Sequence, residues 1–406
     1  MILTDATSIE VEAFGELTAC SRPGGQGRVY RPARWPHELD EEPPVVKLYR
    51  RPVAATAAEV LSEMVRWERS LEPALRTRLL AVSAWPVALV TSRGTTVGIA
   101  MRDLTPRFAT QFVVPSGRSA QVLLSLEHLL GPDWFLRNRG LDVWLDTRLR
   151  ALVAERVSDA LAFLHRHGVA AGDIAPSNLL AALAPPRVDV CLIDCDSMVF
   201  RGRQALPPVE TGDWNLPSEF GEASGTRAAD AYKLGLVVLR LFARSHDARS
   251  VAPHLRYVPV QVRDLLHRAL SADAANRPPA GEWQRALAGL LAAGTLDALA
   301  PRDRLSAPAS AEPVAPPAHV APAPTAPPAR VAPVPATWRA RPVVLRRVVV
   351  VLWLVALVLG LGALLVRIER RPAPARVPTI IYVPGPAGRV VPSVERLQGA
   401  VPAGQP

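Results

Sequence analysis

The chain has 406 residues, 49% of them apolar, and a formal net charge of +10. This length allows two or three domains. The positive charge is carried almost entirely by arginine spread along the chain, without a basic stripe interleaved with aromatic residues, so we expect no nucleic-acid partner. The three cysteines are irregularly spaced and form no CxxC repeat, which argues against zinc and favours free thiols. The first twenty residues have no basic start followed by an apolar stretch, so we expect no cleavable signal peptide.

Strand-like patterns occupy the first third of the chain. Residues 8–50 alternate and break as strands do, and the segments VVKLY at 45–49 and TTVGIAM at 95–101 are typical of strands. Further along, helical periodicity takes over, beginning with LRALVAERVSDALAFLHRHG, whose apolar residues share one helix face. Strands followed by helices predict an α+β fold with two lobes. We place the strand-rich lobe at 1–102 and the helix-rich lobe at 103–298.

A cluster of glycines, Gly24, Gly25 and Gly27, lies between two predicted strands in the segment RPGGQGRVY. Because glycine has no side chain, such a segment lets backbone amides approach a phosphate closely and point at it together. A tight hairpin turn would need the same glycines. The sequence alone leaves both interpretations open.

Lysine is rare in this chain, and only Lys47 and Lys233 occur. Lys47 lies within an apolar strand segment, where a buried charge needs a partner of opposite sign. Glu59 and Glu63, one turn apart on the next predicted helix, are the candidates. Glu59 is also placed to form a capping box with Thr56, and the pattern does not decide between the two glutamates.

Three polar residues follow the long predicted helix in two short motifs. GDIAPSNLL supplies Asp173 and Asn178, and VCLIDCDSM supplies Asp194 directly after a predicted strand. An aspartate can orient a hydroxyl for phosphoryl transfer, while an asparagine and a second aspartate can hold Mg²⁺ against phosphates. Each residue alone is more typical of a turn. Together with Lys47, in this order behind a glycine cluster, they indicate phosphoryl-transfer chemistry.

The last quarter of the chain has a different composition. Residues 299–342 are rich in proline and alanine, which favours an extended linker over a packed core. Residues 343–366 include a run of nineteen uncharged apolar residues, long enough for a transmembrane helix. We therefore expect a single span in the cell (plasma) membrane, with the large domain on the cytoplasmic side. We expect the tail, 367–406, to be extracytoplasmic and without a fold of its own.

With these motifs in this order, residues 8–295 resemble the eukaryotic-like protein kinase superfamily, in a divergent bacterial, membrane-anchored Ser/Thr branch. The resemblance implies a bilobal protein-kinase-like fold in which Lys47 grips the α and β phosphates of ATP and Asp173 acts on the acceptor hydroxyl. It also implies that Asn178 and Asp194 hold Mg²⁺, with Asn178 belonging to the catalytic set as well. The residues that the resemblance places around ATP are Gly24, Gly25, Gly27, Val29, Lys47, Glu59, Glu63 and Met101.

The resemblance extends to segments that would support the site. Pro217-Ser218-Glu219 resembles the end of an activation segment. Asp230 resembles the helix aspartate that braces the catalytic loop, and Arg277 resembles the arginine near the end of the helical lobe. These matches imply that the long stretch between Asp194 and Asp230 acts as an activation segment.

Two departures from the kinase pattern lie in AAGDIAPSNLL. Ala171 and Gly172 replace the His-Arg pair before Asp173, which removes the usual contact for an activating phosphate. Ala175 replaces a lysine near the γ-phosphate, and the loss of that charge is expected to slow transfer by roughly 10²–10³.

The function implied by the resemblance is transfer of the γ-phosphate of ATP, with Mg²⁺, to Ser or Thr hydroxyls of protein substrates in membrane-associated signalling. A homodimer is a further expectation. The alternative is a pseudokinase scaffold that binds nucleotide and recruits partners at the membrane, and nucleotide binding without transfer would mark it. A small-molecule phosphotransferase is a third interpretation, against which the long segment 196–230 argues.

Overall fold

The structure is a computed structural model of the chain. It describes residues 7–21, 24–36, 39, 43–113, 117–207, 210–294, 296, 381–384 and 390–393. The chain divides into two compact units, residues 1–315 and 316–406.

A six-stranded sheet dominates the N-terminal region. Its strands are β1 (Ser8–Glu10), β2 (Leu17–Ala19), β3 (Gly27–Pro32), β4 (Pro44–Tyr49), β5 (Ala88–Ser92) and β6 (Thr95–Arg102). The order across the sheet is β1-β5-β6-β4-β3-β2, in which β1 is parallel to β5 and all other neighbours are antiparallel. β4 lies inside the sheet and is buried over its first four residues, which accounts for the apolar residues on both sides of Lys47. The predicted strand-rich N-terminal region is confirmed.

A two-residue turn joins β5 to β6 and holds the edge strand in place. Arg93 and Gly94 have φ of +50° and +76°, the left-handed values that tight hairpins of this kind need. The Glu10 carboxylate on β1 accepts hydrogen bonds from both backbone amides and from the Thr91 hydroxyl. One acidic side chain therefore ties β1 to the turn of its neighbours.

Two helices, α1 (Ala55–Ser70) and α2 (Pro73–Val82), lie between β4 and β5 in the sequence. α1 buries a face that includes Leu61 and Met64, and the Trp85 indole N–H donates to the Met64 carbonyl. The residue before α1 is Ala54, which makes no side-chain cap. The capping box suggested for Thr56 and Glu59 is therefore not formed, because the helix starts two residues earlier than that motif requires.

The region that follows is richer in helices. Its elements are α3 (Thr105–Phe108), β7 (Ala109–Val113), β8 (Ser119–Leu123), α4 (Thr147–Arg166), β9 (Val169–Ala170), β10 (Leu179–Ala184), β11 (Arg187–Leu192), β12 (Val199–Phe200), β13 (Arg203–Gln204), α5 (Arg227–Ala243), α6 (Val260–Ala269) and α7 (Ala280–Ala292). β7 pairs with β8, β10 pairs with β11, and β12 lies between β13 and β9. The short strands bring the segments around α4 and β11 together.

Two of these helices position the loops discussed below. α4 begins with the Asp146 carboxylate accepting from the Leu149 amide at 2.8 Å, and it ends before Gly168, whose φ is +80°. α5 is buried at every residue from Ala229 to Ala243. The predicted helices at these positions are confirmed. Because α5 is buried on all sides, its polar residues must find partners inside the protein.

The prediction of a membrane-spanning helix needs correction. Among the residues that the structure describes, no helix is both long enough and apolar enough to cross a membrane. The segment 343–366, on which the prediction rested, lies outside the described residues, as does the predicted linker at 299–342. The predicted fold class was therefore wrong to include a transmembrane helix. The membrane partner and the single-pass location in the cell membrane, which followed from that helix, were wrong with it.

The second unit contains one described feature. β14 (Ile381–Pro384) and β15 (Val390–Ser393) pair antiparallel, with Ile381 opposite Ser393. The expectation that residues 367–406 have no fold of their own is corrected to this extent, because backbone pairing occurs there.

Candidate functional site

A cavity of about 390 Å³ opens beside the N-terminal sheet. Its apolar walls include Val29 of β3, Val45 of β4 and Met101 of β6 from the sheet, with Leu180 and Ile193 from the region around β10 and β11. Two of the residues predicted to contact ATP, Val29 and Met101, therefore face one cavity. Polar and charged residues, among them Arg31 and Asp103, complete the lining.

The glycine cluster forms a tight turn at the start of β3. The Gly24 amide donates to the Gly27 carbonyl at 2.8 Å, and a Cβ at Gly27 would collide with the backbone carbonyl of Leu48 on β4. Gly25 has open space around it. None of the three is among the described residues that line the cavity. The turn and the close strand pairing account for Gly24 and Gly27, and a role for the cluster in phosphate binding stays a prediction.

Lys47 lies on β4 opposite Val29 and is buried, with 5% of its surface exposed. Its ammonium donates to Asp196 Oδ1 at 2.8 Å and to Asp194 Oδ1 at 3.2 Å. Burial alone would lower the pKa of Lys47, but the charges of Asp196 and Asp194 and the hydrogen bonds to them outweigh burial and raise it. The ammonium is therefore held in its charged form. Burial also raises the pKa of the nearby Tyr49 hydroxyl, and the charge of Asp196 raises it further.

The expected pairing of Lys47 with a glutamate on α1 is not formed. Glu63 pairs with Arg203 of β13 at 2.6 Å, and Glu59 pairs with the same guanidinium at 3.4 Å. Both glutamates lie on the outer part of α1, with side chains 36% and 67% exposed respectively. The physical reason is competition, because a buried aspartate already occupies the position beside the ammonium.

Asp194 has an uncommon backbone conformation for a residue with a side chain. Its φ and ψ are +58° and +37°, and the 3-10 turn Cys195–Ser197 follows directly. Aspartate tolerates this left-handed region better than most residues, and such conformations cluster at functional sites. The turn directs Asp194 and Asp196 to the same ammonium although Cys195 between them is buried.

Asp173 and Asn178 lie together on the loop between β9 and β10. The Asn178 amide nitrogen donates to Asp173 Oδ2 at 2.9 Å and to the Asp173 backbone carbonyl at 3.1 Å. Thr211 donates to the same carboxylate twice, from its amide to Oδ1 at 3.1 Å and from its hydroxyl to Oδ2 at 3.0 Å. The Asp173 carboxylate is therefore fixed in orientation by two segments.

Asp173, Asn178 and Asp194 line one small cavity of about 10 Å³, so the structure brings these three predicted residues together. No cluster of three or more His, Cys, Asp or Glu side chains suited to a metal occurs in the part of the chain that the structure describes. Mg²⁺ usually takes one or two protein oxygens and completes its shell with substrate phosphates and water. Asp194, whose side chain is 49% exposed, and the Oδ1 atom of Asn178 fit that requirement.

Beneath this loop, α5 supplies its anchors. Asp230 accepts from the backbone amides of Ala171 and Gly172 at 2.7 and 2.8 Å, and it contacts His165 Nε2 at 2.9 Å. Lys233, one turn along α5, donates to the Gly172 carbonyl at 2.7 Å and to Glu210 at 2.6 Å. The amide and the carbonyl of Gly172 are therefore both hydrogen-bonded to side chains of one buried helix.

Arg277 anchors the segment that leads into α5. Arg277 forms its ion pair with Glu222 at 2.7 Å, whereas Glu219 is exposed. The guanidinium also donates to the backbone carbonyls of Ser271 and Ala228. Glu222, and not Glu219, therefore connects the end of this segment to Arg277.

Sequence reasoning missed three participants: Asp196, Thr211 and Glu210. Asp196 had a signal, since the motif IDCDSM places a second aspartate two residues after Asp194 and Lys47 needed a buried partner. Lys233 stood out as the second lysine, but nothing in the local pattern connected it with Glu210. Thr211 has no local signal that separates it from a surface hydroxyl.

Comparison with known proteins adds a partial similarity. No protein-family model matches the chain. Over 133 residues the chain is 23% identical to a probable serine/threonine-protein kinase of Dictyostelium discoideum. The aligned part is 32% of this chain and 14% of the relative, so the match spans a small fraction of the relative's length. The similarity indicates a distant, kinase-like relationship.

Proposed function

We propose that the chain is an ATP-dependent kinase that uses Mg²⁺ and transfers the γ-phosphate to Ser or Thr hydroxyls of protein substrates. The observation that supports this best is the position of Asp194, which lines both the large cavity and the small one. Asp194 contacts the Lys47 ammonium and shares the small cavity with Asp173 and Asn178. A phosphate chain that starts from a base in the large cavity can therefore meet all four residues.

The large cavity suits a nucleotide base. Its volume of about 390 Å³ falls within the range of small-molecule sites, about 300–1,000 Å³. Val29 and Val45 of the sheet form one wall, and Leu180 and Ile193, from the region around β10 and β11, form another. A flat ring can therefore be held between apolar surfaces. This arrangement would bury the base and leave its phosphates near Lys47.

The polar residues divide the remaining work. Lys47 would bind phosphate oxygens, and its raised pKa keeps the charge that this needs. Asp194 and Asn178 would hold Mg²⁺, which when bound neutralises charge between the phosphates. Asp173 would accept a hydrogen bond from the acceptor hydroxyl and orient it for in-line attack. Thr211, by donating to Asp173, would fix the direction of that carboxylate.

Ala175 stands where kinases have a lysine near the γ-phosphate, and the loss of that charge affects the expected rate of phosphate transfer. Ala175 is buried and offers no donor to a phosphate. Lys233 does not replace it, because its ammonium is already bound to Gly172 and Glu210. We therefore expect transfer to be slower than in a site that has a lysine at this position, by roughly 10²–10³.

The test is transfer of label from γ-labelled ATP to a generic protein acceptor by the full chain with Mg²⁺. The Asp194→Asn variant should lose at least about 100-fold in rate because its metal ligand is gone. Glu219→Gln, at an exposed residue outside the site, is the matched control and should equal the parent. Label that persists unchanged in Asp194→Asn would contradict the proposal.

A second candidate function is a nucleotide-binding scaffold without transfer. It is favoured by the hydrogen bonds that already occupy both oxygens of Asp173, together with the absence of a lysine at Ala175. In that case ATP would raise the melting temperature of the parent chain, and no label would reach any acceptor. Transfer by the parent that is lost in Asp194→Asn would exclude it.

A further inference from the structure

We propose that Asp196 is the positioning residue for Lys47, in the role that the resemblance assigned to a glutamate of α1. This inference rests on the proposed function. Of the two carboxylates beside the ammonium, Asp196 lies nearer, at 2.8 Å against 3.2 Å for Asp194. Asp196 is also almost fully buried, with 1% of its surface exposed.

Burial makes Asp196 the better fixed of the two partners. A buried carboxylate cannot turn towards solvent, so its Oδ1 atom holds the ammonium at one place. The short turn Cys195–Ser197 holds the residue from both sides, with the Ser197 amide and hydroxyl donating to the Asp194 carbonyl at 3.1 and 2.8 Å. Asp194, half exposed, is free to serve another ligand while Asp196 keeps Lys47 in position.

The glutamates of α1 are engaged elsewhere. Glu59 and Glu63 share the Arg203 guanidinium, and their side chains lie at the outer face of the helix. For either to take over, it would have to leave Arg203 and displace Asp196 from the ammonium. Asp196 would then be a buried charge without a partner, which is strongly unfavourable. The arrangement therefore favours Asp196 over both glutamates.

This arrangement differs from one in which α1 sets the position of Lys47. Residues 194–196 supply both the expected metal ligand and the lysine partner, so the positions of Lys47 and of the metal are set by the same three residues. A displacement of α1 would change the pairing with Arg203 and leave the Lys47–Asp196 pair in place. The phosphate-binding lysine would thus be positioned independently of α1.

The test compares kcat and KM for ATP in the full chain for the parent, Asp196→Asn and the double variant Glu59→Gln/Glu63→Gln. The Asp196→Asn substitution would keep a neutral acceptor but lose the charge that fixes the ammonium, so kcat should fall about 10- to 100-fold while KM for ATP changes less than about threefold. The double glutamine variant should keep kcat within about twofold of the parent. Asp189→Asn, the same substitution at an exposed aspartate on β11, is the matched control.

The outcomes separate the two proposals. A parent that neither binds nor uses ATP overturns the proposed function and this inference with it. A parent that transfers phosphate, with Asp196→Asn unchanged or with the double glutamine variant down tenfold or more, overturns this inference alone. If Asp196→Asn fails to fold, the double glutamine variant can still overturn the inference, because Glu59 and Glu63 lie at the outer face of α1. A rise in KM with kcat unchanged in Asp196→Asn would also overturn it, since that pattern marks lost binding instead of lost positioning.

Discussion

The surroundings of the two lysines of the chain differ in their balance of charge. The Lys47 ammonium contacts two carboxylates, Asp194 and Asp196. Asp173 lines the small cavity that Asp194 also lines. Lys233 faces one carboxylate, Glu210, and one carbonyl. Among the groups in direct contact, the first site therefore has two carboxylates against one ammonium, and the second has one against one. Under the proposed function, the second carboxylate beside Lys47 is available to a metal ion, whereas the contacts of Lys233 are structural.

The largest expected effect is on stability. Lys47→Met would leave Asp196 charged and buried without a partner, which should lower the free energy of unfolding by about 3–5 kcal/mol. Lys233→Met would leave Glu210, whose side chain is 35% exposed and can turn to water, so the loss should be about 1–3 kcal/mol. Urea denaturation of the full chain measures both. Equal losses would contradict the comparison, and Lys47→Met/Asp196→Asn should recover part of the first loss.

The excess negative charge also predicts a strong requirement for a divalent cation. ATP brings further negative charge to Asp194 and Asp196, so chelation of Mg²⁺ should weaken ATP binding about tenfold or more. Adenosine, which has no phosphates, should bind equally with and without Mg²⁺. Isothermal titration calorimetry compares the two ligands. An ATP affinity that stays the same after chelation would show that a group other than a divalent cation offsets the negative charge.

A smaller effect is expected at the acceptor side of the site. Thr211→Val removes the hydroxyl that donates to Asp173 Oδ2 and keeps the backbone donor to Oδ1. The Asp173 carboxylate then loses one of the three hydrogen bonds that it accepts from Asn178 and Thr211. We therefore expect kcat to fall about tenfold, with KM for ATP unchanged. Thr211→Ser retains the donor and should stay near the parent. Equal kcat in all three chains would mean that Asn178 and the Thr211 backbone amide are sufficient to orient Asp173.

The smallest effect is chemical reactivity of the cysteines. Burial raises the pKa of the Cys191 thiol to about 12 and that of Cys195 well above its ordinary value, whereas Cys20 is exposed and lines the large cavity. Only thiolates react, so iodoacetamide at pH of about 8 should modify Cys20 and spare the other two until the chain unfolds. Mass spectrometry counts the products. Burial also raises the pKa of Cys20, so its rate should increase with pH.

The same reaction reports on the cavity. Cys20 shares its lining with Val29 and Met101, so a bound nucleotide should slow alkylation of Cys20. Cys191 and Cys195 are the internal controls, because neither should react in either condition. Unchanged Cys20 reactivity at saturating ATP would place the nucleotide elsewhere.

The local sequence pattern was sufficient to predict the helices and strands and to select the polar residues of the site. The 3.6-residue repeat located α4 and α5, and apolar segments rich in β-branched residues located β4 and β6. Asp173, Asn178 and Asp194 were chosen by their motifs, and the structure brings them to one small cavity. Their proposed roles stay predictions.

Partner choice could not be predicted in the same way. Lys47 and Asp196 are 149 residues apart, and no local rule ranks Asp196 above the glutamates of the next helix. Glu222 and Glu219 stand three residues apart in one segment, and only the tertiary arrangement decides which of them reaches Arg277. Ion pairs depend on which segments meet in the folded chain.

The complete burial of α5 has a consequence for the timescale of motion at the loop. Asp230 accepts from the amides of Ala171 and Gly172, and it lies on a helix that cannot detach without exposing the protein interior. Exchange of these two amide hydrogens with solvent should therefore be slow, because it requires the loop to leave α5. The exposed Gly25 amide needs no such event. The loop that carries Asp173 should thus open more slowly than the glycine turn.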